Sequence, residues 1–275
     1  MFSVCTVTYG DYPELTKKCL EGVRSSFHGH IRDVRIGLNS VSSATFDYVM
    51  NWAGTFGYCP VFVYQEVENR NVGKYPLMRR MFQEEPAVRD EDCIMWLDDD
   101  THLNQVDSLW WDEVYELAYR HSVVGLVHYM RARGNQWEGI PTQPWFGNHP
   151  VSKHQKFKFA TGAWWTAQYS FLKKWDYPFS EIYHNGGDSI LGELCRQQNA
   201  SIHDYREGAH CNANCCRTTP NKEGVVQLNV GGREGRRGIG KKVADEIFPW
   251  HYYGERPENL QHHNFDLKVY EFYVT

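Results

Sequence analysis

Three consecutive aspartates close a short apolar segment of the chain. The segment is Cys93–Leu97, and Asp98, Asp99 and Asp100 follow it directly. Alternate residues of an extended chain point the same way, so Asp98 and Asp100 can share one side of a strand end. Two carboxylates held this close repel each other unless a cation lies nearby. Oxygen ligands favour Mg²⁺ or Mn²⁺, so the pattern predicts a metal site, with a solvated acidic loop or a helix N-cap as the alternative.

A further carboxylate follows a pair of glycines. Asp188 comes directly after Gly186 and Gly187, and it opens a segment with helical spacing that continues to Asn199. Glycine lets the backbone approach a ligand closely, and a carboxylate placed beside a hydroxyl group can accept its proton. Asp188 is therefore interpreted either as a general base or as an ordinary helix N-cap.

The segment Gly231–Lys242 combines flexible glycine with concentrated positive charge, which includes Arg233, Arg236 and Arg237. A loop of this kind could close over a diphosphate and exclude water. It could instead contact a polyanion such as DNA, or remain a solvated loop. The three arginines are accordingly candidate ligands of an anionic group.

Strands and helices alternate in the first hundred residues, which end with the three aspartates. Strands are predicted at 2–9, 34–38, 61–66 and 93–97, and helices at 12–26, 44–53 and after Gly73 through Met81. This alternation predicts an α/β fold with a mostly parallel central sheet, crossover helices and helices on both faces. Open sheets of this class bind ligands at the carboxyl ends of their strands, where the aspartates fall.

The pattern is looser in the rest of the chain. Strands are predicted at 123–129, 157–166 and 269–274, and a helix at 188–199, while 207–242 has no clear periodicity and is interpreted as a functional lid or a disordered loop. No linker divides the chain. We expect one domain over 1–275, in which 1–105 and 106–210 are followed by a C-terminal extension of lid loop and terminal strand (211–275).

Composition excludes some classes of protein. A formal net charge of −5 argues against non-specific coating of nucleic acid or acidic membranes. The sequence contains no signal segment and no apolar run long enough to span a bilayer, so a cytoplasmic location with reduced thiols is expected. Cys211, Cys215 and Cys216 leave a structural zinc site open, although paired C-x-x-C spacing is missing.

The order of these elements and motifs resembles the GT-A fold glycosyltransferases, in particular family 2-like enzymes. The resemblance rests on the Thr8–Gly10 turn after the first strand, the D-x-D pattern of Asp98 and Asp100, the Asn69–Lys74 loop, and the His184–Asp188 segment. One departure concerns the second strand, which ends in Leu38-Asn39-Ser40 where many family members carry an acidic pair.

The resemblance implies that 1–105 is a nucleotide-binding half and 106–210 an acceptor and catalytic half. It also implies a role for each matching residue. Asp188 would be the general base, and Asp100 would hold the metal with a histidine, either His210 or His203. Trp164 lies in the segment that would frame the donor sugar, and it is the candidate to stack on the sugar ring. Because neighbours in a strand face opposite ways, one of the pair Trp164 and Trp165 would pack in the core instead. Residues expected to bind the nucleotide sugar are Thr8, Tyr9, Asn39, Gly73, Lys74, Arg79 and Asp98, together with Arg233, Arg236 and Arg237 of the basic loop.

The resemblance also implies an activity. A sugar would move from a nucleotide-sugar donor, a UDP-sugar first of all, to an acceptor hydroxyl with Mn²⁺ or Mg²⁺ as cofactor. Inversion at the anomeric carbon is the simplest outcome, and retention stays open. The acceptor could be a glycan, another hydroxyl such as a protein side chain, or a modified DNA base. A Mg²⁺-dependent nucleotidyltransferase and a non-catalytic nucleotide- or carbohydrate-binding module are the alternatives.

Overall fold

Short apolar strands form the centre of the structure, a computed structural model that describes residues 1–99, 101, 103, 106–131, 143, 145–147, 156–179, 187–205 and 265–274. The strands are β1 (Phe2–Gly10), β2 (Ile31–Val41), β3 (Val61–Glu66), β4 (Cys93–Asp98), β5 (Val123–Arg131), β6 (Lys156–Gln168), β7 (Ile202–Asp204) and β8 (Leu267–Phe272). The helices are α1 (Pro13–Ser25), α2 (Ser43–Thr55), α3 (Lys74–Gln83), α4 (Ser108–Arg120), α5 (Tyr169–Lys174) and α6 (Gly187–Gln197).

The described strands form one sheet in the order β7-β5-β6-β4-β1-β2-β3-β8. The four central strands β4, β1, β2 and β3 are parallel to one another. β6 and β8 run antiparallel to their neighbours on either side of this group. The carboxyl ends of β1–β4 therefore meet along one side of the sheet, which we call the carboxyl edge.

Helices cover both faces of the sheet, and each face has its own hydrophobic core. In β4, Met95 and Leu97 pack in one core, while Ile94 and Trp96 pack in the other. The first core is closed by α1, α2 and α4 and the second by α3, α5 and α6. Because both faces are buried, most side chains of the central strands point into a core, and β3 and β4 are apolar at most positions. This architecture confirms the predicted α/β fold class.

The structure adds one long helix that the sequence analysis did not predict. Helix α4 begins after the N-cap Asp107, whose side chain accepts a hydrogen bond from the Trp110 amide. Its buried positions include Trp110, Trp111, Val114 and Ala118, a helical spacing that fits one core-facing side. β8 also lies two residues earlier than the predicted 269–274, because Leu267 pairs with Glu66 and Phe272 with Val61. Among the described helices, none is long and apolar enough to cross a bilayer.

A buried ion pair joins β2 to its surroundings. Arg35 is 1% exposed, and its Nε lies 3.0 Å from Asp33 Oδ1. Its Nη1 donates to the Tyr64 hydroxyl at 3.0 Å and to the Met81 carbonyl at 2.8 Å. The guanidinium therefore ties β2 to β3 and α3, and every one of these partners would be left in an apolar core without it.

We expect Arg35→Ala to lower the free energy of unfolding by about 3–5 kcal/mol, because the Asp33 carboxylate is then buried without its cation. Arg120→Ala is the matched control, since Arg120 pairs with Glu116 on the solvent side of α4 with both side chains about two-thirds exposed. That change should cost less than about 1 kcal/mol. Urea unfolding monitored by tryptophan fluorescence measures both values, and equal losses would contradict the structural role of Arg35.

Candidate functional site

The carboxyl edge collects several of the predicted residues. β1 ends at Gly10 and β4 at Asp98, and the strand register pairs Val7 with Asp98 and Tyr9 with Asn39. The loop 67–73 after β3 leads into α3 beside them. Ends of four adjacent parallel strands thus bring residues from distant parts of the sequence together.

An ion pair lies at the centre of this edge. The Lys74 ammonium is 2.5 Å from Asp98 Oδ1, and the Trp96 indole N–H donates to the same oxygen at 3.0 Å. The Lys74 Nζ also lies 5.1 Å from the centroid of the Trp96 ring. Lys74 is the first residue of α3. Gly73, just before it, has a positive φ of 86°, a conformation that glycine adopts without strain. The negative charge of Asp98 is therefore compensated by an ammonium group.

The second aspartate of the triplet joins two strands. Asp99 is 2% exposed, and its Oδ2 accepts a hydrogen bond from the Tyr9 amide at 3.2 Å. The Thr8 hydroxyl, also buried, donates to the Gly37 carbonyl at 3.5 Å. Thr8 and Tyr9 consequently lie at the carboxyl edge, and these two hydrogen bonds hold the ends of β1, β2 and β4 in register. Their contact with a nucleotide stays a prediction.

Asn39 braces the loop that precedes α3. Its Nδ2 donates to Asn71 Oδ1 at 3.0 Å, and its Oδ1 accepts from the Val72 amide at 2.9 Å. Gly73 N donates to the same Asn71 oxygen at 3.1 Å. Asn39 is 1% exposed. The Asn39 amide thus shapes the loop that presents Gly73 and Lys74. A direct contact of Asn39 with a nucleotide stays a prediction.

Tyr75 links this loop to the start of α6. A Cβ at Gly187 would lie 2.2 Å from Cζ of Tyr75, so the helix start packs directly on the phenol ring. Burial raises the pKa of the Tyr75 hydroxyl well above its usual value, and the negative charges of Asp188 and Asp98 raise it further. The hydroxyl therefore stays protonated. It lies close enough to both carboxylates for their charges to raise its pKa.

Asp188 lies in the first turn of α6, half-buried, and its Oδ1 accepts a hydrogen bond from the Ser189 amide at 2.8 Å. Its contact with Tyr75 brings it to the same edge as Asp98, from which it is far removed in the sequence. The structure therefore joins two of the predicted site residues through a third side chain that was not predicted. Because α6 begins at Gly187, Asp188 is the second residue of the helix and not its N-cap. Its role as a base stays a prediction.

Trp164 lies elsewhere, and the prediction that it stacks on a sugar ring is corrected. Its ring is fully buried, 5.4 Å from Trp110 and 6.1 Å from Tyr205. Trp165 is buried on the opposite face of β6, 6.2 Å from Trp96. Neighbours in a strand point to opposite faces, and helices cover both faces here, so neither indole is open to a ligand.

Arg79 and His203 are also engaged away from the ion pair. Arg79 Nη1 lies 2.8 Å from Asp176 Oδ1 and donates to the Pro178 carbonyl at 3.0 Å, which ties α3 to the chain after α5. His203 stacks on His121 at 4.6 Å on β7, three strands away from β4 in the sheet. That separation is about 14 Å at the usual strand spacing. Arg79 thus ties α3 to the chain after α5, and His203 lies away from Asp98 at the end of β4. Their roles as ligands of a donor or a metal stay predictions.

Five predicted site residues lie outside the described residues, namely Asp100, His210, Arg233, Arg236 and Arg237. Their roles remain predictions. The structure in turn adds Tyr75, Asn71 and Asp99 to the site. Asn71 belongs to the loop on which the resemblance partly rests, so its polar side chain was a usable signal. Tyr75 carried no signal of its own, because its spacing with Leu77 and Met78 fits an ordinary core-facing helix position.

Comparison with solved structures identifies the fold. A mannosyltransferase from Pyrobaculum calidifontis in complex with GDP-Man and Mn²⁺ aligns with a TM-score of 0.52 and 13% identity, over 93% of this chain and 65% of that one. S. aureus TarS aligns with a TM-score of 0.45 and 15% identity, over 73% of this chain and 56% of that one. The chain thus spans less than two thirds of either structure. At these identities the likeness concerns the fold, and this chain has a GT-A-type fold, as predicted. No protein-family model and no curated protein matches it.

The contact between Gly187 and Tyr75 can be tested by adding one methyl group. Gly187→Ala should lower the free energy of unfolding by about 1–3 kcal/mol, because the buried ring leaves no space for a Cβ. Gly29→Ala is the matched control, since a Cβ there would meet nothing within 4 Å. Urea unfolding should show the cost, and the double variant Gly187→Ala/Tyr75→Leu should lose less than the sum of the single changes. Additive losses would show that the start of α6 does not pack on Tyr75.

Proposed function

We propose that this chain is a metal-dependent glycosyltransferase that moves a sugar from a nucleotide-sugar donor to an acceptor hydroxyl. The observation that carries the proposal is the convergence of Lys74, Asp98, Tyr75 and Asp188 at the carboxyl edge of a GT-A-type sheet. This edge is where open α/β sheets bind their ligands. It supplies a cation for a phosphate, carboxylates for a metal, and a carboxylate for a proton.

Lys74 is the residue best suited to the donor phosphates. Its ammonium extends from the first turn of α3, where the helix N-terminus also favours an anion. Gly73, just before it, leaves room for a close approach of the donor to the backbone. A UDP-sugar is our first candidate for the donor, and a GDP-sugar is the second because the mannosyltransferase of similar fold is in complex with GDP-Man.

A divalent cation fits the residues at the end of β4. Asp98 supplies carboxylate oxygens at the sheet edge, and Asp100 follows it two positions later. Oxygen-only ligands suit Mn²⁺ or Mg²⁺. Since the charge of Asp98 is already compensated by Lys74, Asp100 is the principal metal ligand in this proposal, with His210 as a further candidate. When bound, the ion would stabilise the charge of the leaving diphosphate as a Lewis acid.

Asp188 is the proposed base. Its carboxylate would take the proton of the acceptor hydroxyl as that oxygen attacks the anomeric carbon of the sugar. Tyr75 would hold the start of α6, and with it Asp188, at a fixed distance from Asp98. Direct displacement of this kind inverts the anomeric configuration. Arg233, Arg236 and Arg237 would close over the diphosphate. A glycan or another hydroxyl compound is the proposed acceptor, and nothing in the described residues supports a DNA base.

Binding of the donor should depend on metal and on Asp100. In a thermal-shift screen of nucleotide sugars, we expect one UDP- or GDP-sugar to raise the melting temperature only when Mn²⁺ is present. Asp100→Ala should abolish that shift, because the diphosphate then loses its cation. Asp47→Ala, an exposed aspartate on α2, is the control that should keep it. An equal shift without metal would remove the role given to Asp100.

Substitution of the base should separate chemistry from binding. Asp188→Asn keeps the size of the side chain but cannot accept the proton, so transfer should fall by about 10²- to 10⁴-fold. The thermal shift with donor and Mn²⁺ should stay nearly unchanged. Initial rates of nucleotide release with and without acceptor provide the measurement, with Asp47→Asn as the matched control. Undiminished transfer by Asp188→Asn would leave Asp188 a residue of the first helical turn with no part in the chemistry.

The products distinguish the alternatives. A glycosyltransferase releases a nucleoside diphosphate, whereas a nucleotidyltransferase releases pyrophosphate. A non-catalytic module would bind the donor and release neither. Chromatography of the nucleotide products after incubation with the stabilising donor therefore decides among the three.

A further inference from the structure

Two histidines and an aspartate come together at the opposite side of the sheet. His28 and His30 lie in the turn between α1 and β2, and Asp112 lies on α4. Because β2 begins at Ile31, this turn marks the amino end of the parallel strands, away from Asp98. The three side chains offer ligand atoms that all lie within 4.8 Å of one another, and among the described residues no other group of three does so. We call them the His–His–Asp cluster.

The spacing of the ligand atoms fits a single ion. His30 Nε2 lies 2.8 Å and His28 Nε2 lies 3.8 Å from Asp112 Oδ1. Ligands bound to one tetrahedral ion at about 2.0–2.2 Å are roughly 3.3–3.6 Å apart. The two observed distances lie on either side of this value, so small side-chain movements would complete the geometry. The long 3.4 Å contact from the His30 amide to His28 Nδ1 would be given up when the proton moves to Nδ1.

Packing already orients two of the three ligands. The His30 ring stacks on Tyr115 with centroids 4.0 Å apart and planes 3° from parallel. Tyr115 in turn packs edge-on against the buried Phe2 at 5.7 Å. Tyr115 and Asp112 are three residues apart on α4, so they share one face of that helix. The imidazole of His30 and the carboxylate of Asp112 are thus held by the same helix.

The chemistry of the cluster differs from that of the carboxyl edge. Two imidazole nitrogens and one carboxylate oxygen suit Zn²⁺, Co²⁺ or Ni²⁺, whereas Mg²⁺ and Mn²⁺ prefer oxygen ligands alone. The side chains of His28, His30 and Asp112 are 23%, 28% and 52% exposed, so an ion can enter from solvent and water can fill the remaining position. We propose that the His–His–Asp cluster is a second metal site, specific for a transition metal such as Zn²⁺ and separate from the proposed catalytic ion.

Such an ion would join two elements that meet at this end of the molecule. It would fasten the turn before β2 to α4, the helix that follows the aspartate triplet. Its proposed role is therefore structural. Bound metal would stabilise the folded chain, because the ligand set exists only when the turn and the helix are packed together.

Titration with Zn²⁺ tests the site in the full chain after chelator treatment. The wild type should bind one more Zn²⁺ than Asp112→Asn or His28→Gln. Loss of a group that only hydrogen-bonds to a metal ligand lowers affinity about 10- to 100-fold, so loss of a ligand itself should lower the affinity at this site by at least as much. Both altered side chains are partly exposed, so folding should be preserved. His121→Gln is the matched control, since His121 and His203 form another stacked pair, and it should bind as the wild type does.

Thermal unfolding gives a second readout. Zn²⁺ should raise the melting temperature of the wild type and of His121→Gln by the same amount, and the rise should be smaller in Asp112→Asn. Asp100→Ala should keep the full Zn²⁺ effect, so failure of this proposal and failure of the proposed catalytic site are distinguishable. Equal Zn²⁺ stoichiometry and affinity in wild type, Asp112→Asn and His28→Gln would overturn the assignment and leave a hydrogen-bonded His30–Asp112 pair.

Discussion

The contact between the Lys74 ammonium and the Asp98 carboxylate sets the electrostatics of the carboxyl edge. Both side chains are less than one-fifth exposed, so either charge without the other would carry a large desolvation cost. The pair fixes the first turn of α3 against the end of β4. Tyr75, the next residue of α3, is placed by the same turn, and the start of α6 rests on its ring. The turn that holds the ion pair thus also carries the ring on which the start of α6 packs.

Hydrogen bonds of neighbouring polar side chains support the ion pair and the first turn of α3. Asn39 and Asn71 hold the loop that delivers Gly73 and Lys74, and Asp99 holds the Tyr9 amide. Asn39 and Asp99 are buried, and their hydrogen bonds offset the cost of removing them from water. An asparagine in place of an acidic residue at position 39 therefore has a structural consequence: it can donate and accept at once, which a carboxylate cannot do. The resemblance marked this position as a departure, and the contacts supply its physical reason.

The proposed catalytic ion and the proposed structural ion would lie at opposite ends of the parallel strands. Oxygen ligands gather at the carboxyl edge, where strand ends deliver aspartates, and imidazoles gather at the amino end beside α4. α4 follows the aspartate triplet after a short connection and also carries Asp112. A helix held by metal at one end of the sheet would help to keep the triplet's connection in place at the other end.

The sequence by itself determined the alternation of strands and helices, the position of the aspartates at the end of a buried strand, and Asp188 at a helix start. These features are local, since they depend on apolar spacing and on turn residues within a few positions. Tertiary structure decided that Trp164 is buried in the core and that Arg79 pairs with Asp176. It also decided that Tyr75 packs against the start of α6 and that His28 and His30 lie beside Asp112. Each of these depends on which faces of the sheet are covered and on which distant element packs there, and no short stretch of sequence carries that information.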